Sequence, residues 1–192
     1  MIKRLAIFGV SISPNAPGRW SSVKMIRRLA LPAGFAVLVA LVSLGTAASA
    51  DPGTILKFDT MAPVTGPYVG ASNSIRGLPG GGLPWIIESG RGSLDRDGHL
   101  KVRVRGLVLA ESAPVPPALQ GINPVSPFTA IVSCQTIGAD GSATVTNVST
   151  AGFPASREGD SNIRATVQLP HPCIAPIVFV LGGGMWFAAT GN

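Results

Sequence analysis

Alternation of apolar and polar side chains is the main structural signal in this chain. Between residues 100 and 105, Leu and Val alternate with Lys and Arg, and residues 163–169 repeat the pattern with Ile, Ala, Val and Leu. Residues 128–134 place Phe, Ala, Val and Cys on one face in the same way. A period of two is typical of a β-strand with one buried and one solvent-facing side, so we predict strands over these three segments.

Glycine-containing turns connect several of these strands. Asp95-Arg96-Asp97-Gly98 places Gly where a hairpin turn needs a positive φ, and residues 85–94 are the predicted partner of the strand at 100–105. The apolar positions change phase after Gly106, which predicts a β-bulge there.

The C-terminal third continues the strand pattern. Gly138-Ala139-Asp140-Gly141 predicts a turn into a Thr- and Val-rich strand at 144–149. The apolar runs 177–181 and 185–189 flank three glycines and predict a closing hairpin that is buried on both sides.

A strand at 55–60 brings the predicted total to about eight. Regularly spaced short strands predict an all-β fold, either a single antiparallel β-sandwich of jelly-roll or immunoglobulin-like type or a small barrel. The segment 113–128 shows no strand or helix period, and its five prolines predict a long loop.

Composition agrees with a turn-rich globular domain. The 192 residues include 24 Gly and 17 Pro, which is too many for a helical bundle. Hydrophobic residues make up 46% and charged residues 12%, which excludes a disordered chain.

The net charge of +6 comes from the first 50 residues, which hold six Lys and Arg and no Asp or Glu. The other nine basic residues are balanced by nine acidic residues. We therefore expect no nucleic-acid partner, because the folded part has no basic surplus.

The basic excess belongs to a predicted signal peptide at residues 25–50. Met25-Ile26-Arg27-Arg28 is a positive start, an apolar stretch follows, and Ala48-Ser49-Ala50 provides a cleavage site of small residues. The general secretory route is favoured over twin-arginine export. An uncleaved membrane anchor is the alternative, since the apolar run is near the lower length limit for a span.

The leader divides the chain into three parts. Residues 1–24 are interpreted as an upstream extension from a mis-assigned start, with Met25 as the true start. Residues 51–192 form the predicted mature domain, secreted or periplasmic, with no membrane span after cleavage of the signal peptide.

Two cysteines, Cys134 and Cys173, both fall in the mature part. In an oxidising compartment they predict a disulfide. A reactive thiol or metal-binding pair is the alternative, but the chain has no Cys-x-x-Cys spacing.

Candidate ligand sites are few. Asp95 and Asp97 resemble the start of a calcium loop, but the later Glu ligand is missing, so a plain turn is favoured and no metal or other cofactor is expected. Gly80-Gly81-Gly82 lacks the Lys-Ser/Thr of a phosphate loop and predicts a flexible loop leading into Trp85; the border of a ligand groove is the alternative. Tyr68, Trp85 and Trp186 are candidates for an aromatic platform for sugars or peptides, although tryptophans in a sandwich usually belong to the core.

Few residues are candidates for catalysis. Gly159-Asp160-Ser161 resembles the nucleophile tripeptide of some serine hydrolases, and His99 and His171 are the two candidates for its base. A polar turn before the strand at 163–169 is the favoured interpretation. Carboxylates that could serve a glycosidase are scattered through the chain, at Asp51, Asp59, Glu88 and Glu111.

Four segments resemble a group of short exported bacterial proteins with no assigned activity. They are Thr54-Ile55-Leu56-Lys57-Phe58-Asp59-Thr60-Met61, Gly82-Leu83-Pro84-Trp85, Val104-Arg105-Gly106-Leu107-Val108-Leu109 and Pro172-Cys173-Ile174-Ala175-Pro176. The resemblance implies export and a single domain, and it transfers no catalytic or binding residue.

These observations favour an exported, non-catalytic β-sandwich protein that acts as a binding or envelope-associated module for an extracellular or envelope ligand. The alternative is a secreted hydrolase that cleaves esters or glycosides through Ser161 or a carboxylate. A third interpretation keeps the signal peptide uncleaved and gives a membrane-tethered domain.

Overall fold

A computed structural model describes residues 53–190, which form an antiparallel all-β structure. The strands are β1 (Thr54–Phe58), β2 (Met61–Pro63), β3 (Trp85–Ile86), β4 (Ser89–Asp95), β5 (His99–Arg105), β6 (Val108–Leu109), β7 (Thr129–Ile137), β8 (Ala143–Ser149), β9 (Ser161–Thr166), β10 (Ile174–Gly182) and β11 (Met185–Thr190). Two short 3-10 turns at Gly66–Tyr68 and Pro117–Leu119 complete the regular elements. The predicted signal peptide at 25–50 and the extension at 1–24 lie outside the described residues.

Two main sheets form the sandwich. One has four strands in the order β1-β4-β5-β9, the other has five in the order β2-β11-β10-β7-β8, and a short ribbon pairs β3 with β6. This arrangement confirms the predicted all-β class. Strand β2 falls outside the predicted strands because three residues are too few to show an alternation, whereas β3 and β6 lie within the predicted hairpin, each of whose two arms is interrupted.

The four-stranded sheet has the one-sided burial that the alternation predicts. Leu100, Val102 and Val104 of β5 are buried, and Ile163 of β9 lies opposite Val102 on the same inner face. The residues between them along both strands are solvent-facing and mostly charged. This sheet therefore contributes one face to the core and presents the other to water.

Strands β10 and β11 of the five-stranded sheet are covered on both faces. Val178 and Val180 of β10 lie opposite Val132 and Ala130 of β7 and share the inner face with them, whereas Phe179 points to the outer face. All of these residues are buried. This double burial explains the continuous apolar run in β10, because a strand whose two faces are both shielded from solvent carries apolar side chains at successive positions.

The segment 64–84 provides the outer cover. Trp186 of β11 donates its backbone N–H to the Pro79 carbonyl at 2.9 Å and accepts from the Gly81 N–H at 2.9 Å. Its ring packs edge-on against Phe179, with 5.9 Å between the ring centroids. This segment thus forms a partial third layer on the outside of the sandwich.

Arg76 attaches this outer layer to the start of β10, at the end of the strand away from the β10–β11 turn. The register of β10 against β7 shifts between Ile174 and Ile177. At this irregularity the Arg76 guanidinium donates to the Ser133 carbonyl and to the Ala175 carbonyl, each at 2.7 Å. One side chain therefore hydrogen-bonds a carbonyl on each strand where the ladder is interrupted, and at the buried Ser133 it supplies the partner that a buried carbonyl requires.

The ladder of the predicted hairpin is interrupted at Gly106 without a change of register. Strand β5 ends at Arg105, Gly106 has a φ of 59°, and β6 then pairs with β3, which precedes β4 in the chain. Two residues separate β3 from β4 and two separate β5 from β6, so the same one-to-one pairing resumes after the break. The predicted partner at 85–94 therefore pairs on both sides of Gly106, but the extra residue of the predicted β-bulge is absent.

The predicted Cys134–Cys173 disulfide is present. Cys134 is fully buried in β7, and Cys173 immediately precedes β10. The bond therefore joins two neighbouring strands of the five-stranded sheet and closes a loop with a sequence separation of 39.

We predict that replacing both cysteines by serine lowers the free energy of unfolding by about 4 kcal/mol, since the open chain gains the loop entropy that the bond removes. Urea unfolding of the oxidised protein and of the double variant measures this difference. Equal midpoints and equal slopes would contradict the expected contribution.

Candidate functional site

An apolar cleft opens where three loops of the sandwich meet, with a volume of about 370 Å³. Its lining residues come from the segment before β3, from β6 and the Pro-rich loop, and from the β10–β11 hairpin. They are Gly82, Leu83, Trp85, Leu109, Leu119, Pro124, Val125, Gly182, Gly183, Met185 and Phe187.

A stacked aromatic pair forms a rigid wall of the cleft. Trp85 lies nearly parallel to Phe187, with 4.0 Å between the ring centroids and 16° between the planes. Phe187 packs edge-on against the buried Phe128 at 5.9 Å. The Trp85 backbone N–H also donates to the Val64 carbonyl at 2.9 Å. Both rings are therefore held from behind by the core.

The Pro-rich loop forms the opposite wall, and Asn123 fixes its position. The Asn123 side-chain amide donates to the Val125 carbonyl at 2.8 Å and to the Ser156 carbonyl at 2.9 Å, and its oxygen accepts from the Val125 N–H at 2.9 Å. Asn123 is buried with these polar partners. Its network sets the backbone that presents Pro124 and Val125 to the cleft.

The β10–β11 turn closes one end of the cleft. Gly183 and Gly184 connect the strands with φ values of 58° and 83°, the two positive angles of a type I′ hairpin turn. At Gly182, a Cβ atom would collide with Val125 and with the Phe187 ring. Glycine is therefore needed at this position for the hairpin to approach the Pro-rich loop.

The cleft suits an uncharged apolar group. Every lining residue in the described chain is either apolar or glycine. Its volume lies near the lower end of the range of about 300–1,000 Å³ for small-molecule sites. Burial of an aliphatic or aromatic group against Trp85, Leu83 and Met185 is the interaction that this surface favours.

The three aromatic residues proposed as a platform are not assembled on one exposed surface. Trp85 lines the cleft but is only 2% exposed. Trp186 is 3% exposed under segment 64–84, and Tyr68 is 45% exposed, with its ring centroid 6.4 Å from that of Trp186. Of the three, Trp85 alone contributes to the cleft.

Ser161 is held in a structural hydrogen bond. The residue is buried, and its hydroxyl donates to the Pro154 carbonyl at 2.9 Å. Ser161 lies opposite Val104, five residues or about 16 Å along β5 from His99. His171 lines a separate hollow together with Arg96, at the same far end of the sheet as His99. The structure does not bring a histidine to Ser161.

The carboxylates considered for glycoside cleavage are also dispersed. Asp59 lies beside the outer face of the four-stranded sheet, Glu88 contacts Gly106, and Glu111 lies near Gly121. Asp51 falls outside the described residues. These contacts place the three described carboxylates at different loops.

The Asp95–His99 hairpin turn combines the two weak metal candidates with a histidine. Asp95, Asp97 and His99 each offer one ligand atom, and these atoms lie within 4.8 Å of one another. Asp95 Oδ1 already accepts the backbone N–H groups of Asp97 and His99, at 3.0 and 2.9 Å, and Oδ2 lies 2.8 Å from His99 Nδ1. Gly98 takes the predicted positive φ of 82°. The Asp95 carboxylate therefore closes the hairpin turn by hydrogen bonding to Asp97 and His99.

The sequence displays parts of the cleft but not their assembly. The glycine loop at 80–82, Trp85 and the Pro-rich loop are separate features of the chain. No local pattern marks the other lining residues Leu119, Val125, Met185 and Phe187. The long Pro-rich loop was the available signal, because a loop of that length in a compact domain commonly has a function.

Comparison of the chain with protein-family models, with curated proteins and with solved structures finds no significant match.

The Asp95 turn predicts a loss of stability in acid. Partial burial raises the pKa of Asp95, but hydrogen bonding and charge interaction with His99, together with the Asp97 N–H, outweigh it and hold the pKa below its ordinary value. The turn therefore stabilises the fold above the unfolded-state pKa, about 3.9, and this contribution is lost as the pH falls through the lower folded-state value.

We predict that Asp95→Ala lowers the melting temperature at pH 6 and that its difference from the original protein shrinks below about pH 4. Asp97→Ala is the matched control, since no hydrogen bond to its carboxylate is seen in the described part of the chain. A difference between Asp95→Ala and the original protein that stays constant from pH 3 to pH 7 would show that the carboxylate is not responsible.

Proposed function

We propose that this protein is an exported, non-catalytic binding module whose cleft holds a small apolar group of an envelope or extracellular molecule. The observation that carries the proposal is the cleft itself, whose lining is entirely apolar and whose walls are held in place by the core and by hydrogen bonds. Its aromatic wall rests on the core through Phe128, and its loop wall is fixed through Asn123. Such preorganisation reduces the entropy lost on binding.

The ligand chemistry follows from the lining. Leu83, Leu119 and Met185 are partly exposed at the cleft and offer aliphatic contacts. Gly82 and Gly183 carry no side chain, so a ligand can approach the backbone closely there. We therefore propose an alkyl chain or a single aromatic ring as the bound group, with the polar part of the ligand left in solvent.

Several observations support a binding role over hydrolysis. Ser161 is buried and hydrogen-bonded to a backbone carbonyl. The two histidines considered as its base, His99 and His171, lie toward the other end of β5. The cleft lining contains no side chain able to transfer a proton or attack a substrate. Nucleophilic catalysis requires a nucleophile, a base and an oxyanion site in contact with one ligand.

Export is supported by the disulfide together with the predicted signal peptide. A structural disulfide is typical of proteins in oxidising compartments. Within residues 53–190, no helix is long and apolar enough to cross a membrane.

The cleft is tested by binding of 1-octanol. We predict that 1-octanol raises the melting temperature, because it binds the folded state only, and that Met185→Glu abolishes the rise by placing a charge in the apolar lining. Met185 is 38% exposed, so the variant is expected to fold. Val145→Glu is the matched control, since Val145 is 41% exposed on β8 and does not line the cleft.

An equal octanol response in the original protein and in Met185→Glu would exclude the cleft as the binding site. A loss of the response in both glutamate variants would point to a general effect of charge.

Export is tested by the intact mass of the protein recovered from the producing cells, with thiol alkylation after denaturation. We predict a chain that begins at Asp51 with both cysteines unalkylated. A mass that retains residues 25–50 would instead identify a tethered protein, and two alkylated thiols would contradict an oxidising compartment.

A further inference from the structure

The outer face of the four-stranded sheet carries a concentration of positive charge. Five exposed basic side chains border a shallow groove of about 310 Å³ on this face, and Asp59 is the acidic residue among its lining. We call this surface the basic face; its basic residues are Lys57, Arg91, Lys101, Arg103 and Arg164.

The strand register places like charges directly opposite one another. Arg91 of β4 pairs with Arg103 of β5, and Lys101 of β5 pairs with Arg164 of β9. Directly opposed side chains in an antiparallel sheet have Cβ atoms about 4.5–5.5 Å apart, and like charges at that separation repel each other. The sheet therefore holds an unfavourable arrangement that an anion would relieve.

The acidic groups at the two ends of β5 already have other partners. At one end of β5, His99 lies 2.8 Å from the Asp95 carboxylate, and at the other end Arg105 donates to Asp160 at 2.8 Å. Neither ion pair involves a member of the basic face. Across residues 53–190, the five basic side chains have no carboxylate within ion-pairing distance.

We propose that the basic face binds a linear polysaccharide that carries carboxylates along its chain. Three of the five residues are arginines, whose planar guanidinium groups match carboxylates through paired hydrogen bonds. Ser93 and Asn162 lie among them in the same groove and offer hydrogen-bonding groups for sugar hydroxyls. The charges extend across four strands, which suits a chain of repeated anionic units better than a single small anion.

Other polyanions fit this surface less well. Single-stranded nucleic acid is held largely by stacking on aromatic rings, and interfacial membrane binding uses apolar side chains that enter the lipid. The groove exposes neither an aromatic ring nor a large apolar side chain, because its lining residues Phe58, Val102 and Ile163 are buried. In the described part of the chain, the exposed large apolar side chains lie elsewhere, at Tyr68, Ile86, Ile137, Val145, Ile174 and Met185. The choice of a polysaccharide as the source of the carboxylates also rests on the proposed export.

The test measures binding of polygalacturonate to the purified protein by calorimetry at low ionic strength. We expect saturable binding that weakens with added salt, and a loss of at least tenfold in affinity for Arg103→Glu. Arg157→Glu is the matched control, because it makes the same change in net charge at an exposed basic residue outside the basic face, and it should bind within twofold of the original. The double variant Arg91→Gln/Arg103→Gln should also lose binding, with a melting temperature no lower than the original.

Fully methyl-esterified polygalacturonate has the same backbone without the charge and should not bind. Equal binding of the ester, or equal losses in Arg103→Glu and Arg157→Glu, would overturn the proposal. Tighter binding to DNA or to phosphatidylglycerol vesicles than to polygalacturonate would overturn it in favour of those classes. The cleft variant Met185→Glu should bind polygalacturonate normally, so failure at the cleft and failure at the basic face are distinguishable.

Discussion

Burial of the β10–β11 hairpin on both faces is the constraint on which the rest of the structure depends. Its inner face packs against the four-stranded sheet, and its outer face is covered by segment 64–84. This arrangement requires uninterrupted apolar residues in β10 and a glycine turn at 183–184. The disulfide and Arg76 both act on the start of the same hairpin, where the register against β7 is irregular.

The cleft follows from the position of that hairpin. Phe187 projects from β11 to stack on Trp85, and Gly182 lets the Pro-rich loop approach. Asn123 then joins that loop to the segment before β9, so the cleft is supported by three parts of the chain that are distant in sequence. The site is apolar because it is an open extension of the core, whereas the basic face is the solvent side of the other sheet.

Local patterns predict the individual strands, whereas the cleft and the basic face depend on loop packing and strand pairing. The alternation at 100–105 and the apolar run in β10 each depend on one strand and its own two faces, so the sequence displays them directly. The interruption of the hairpin at Gly106 depends on contacts from a distant part of the chain, since the Gly106 N–H donates to Asp160 and the Leu107 N–H donates to the Gly159 carbonyl. Composition does not predict the basic face, because the basic and acidic residues of 51–192 balance. The alternation does place Lys101 and Arg103 together on the solvent-facing side of one strand. Arg91 and Arg164 join them only through strand pairing.

Hydrogen exchange of individual amides tests the central claim, that the doubly covered hairpin is the most stable part of the fold. The account predicts that the amides of Val178, Phe179 and Val180 exchange only through global unfolding. Amides of β8, an edge strand with mostly exposed side chains, should exchange earlier through local opening. Exchange of the β10 amides as early as those of β8 would show that the hairpin does not hold the structure together.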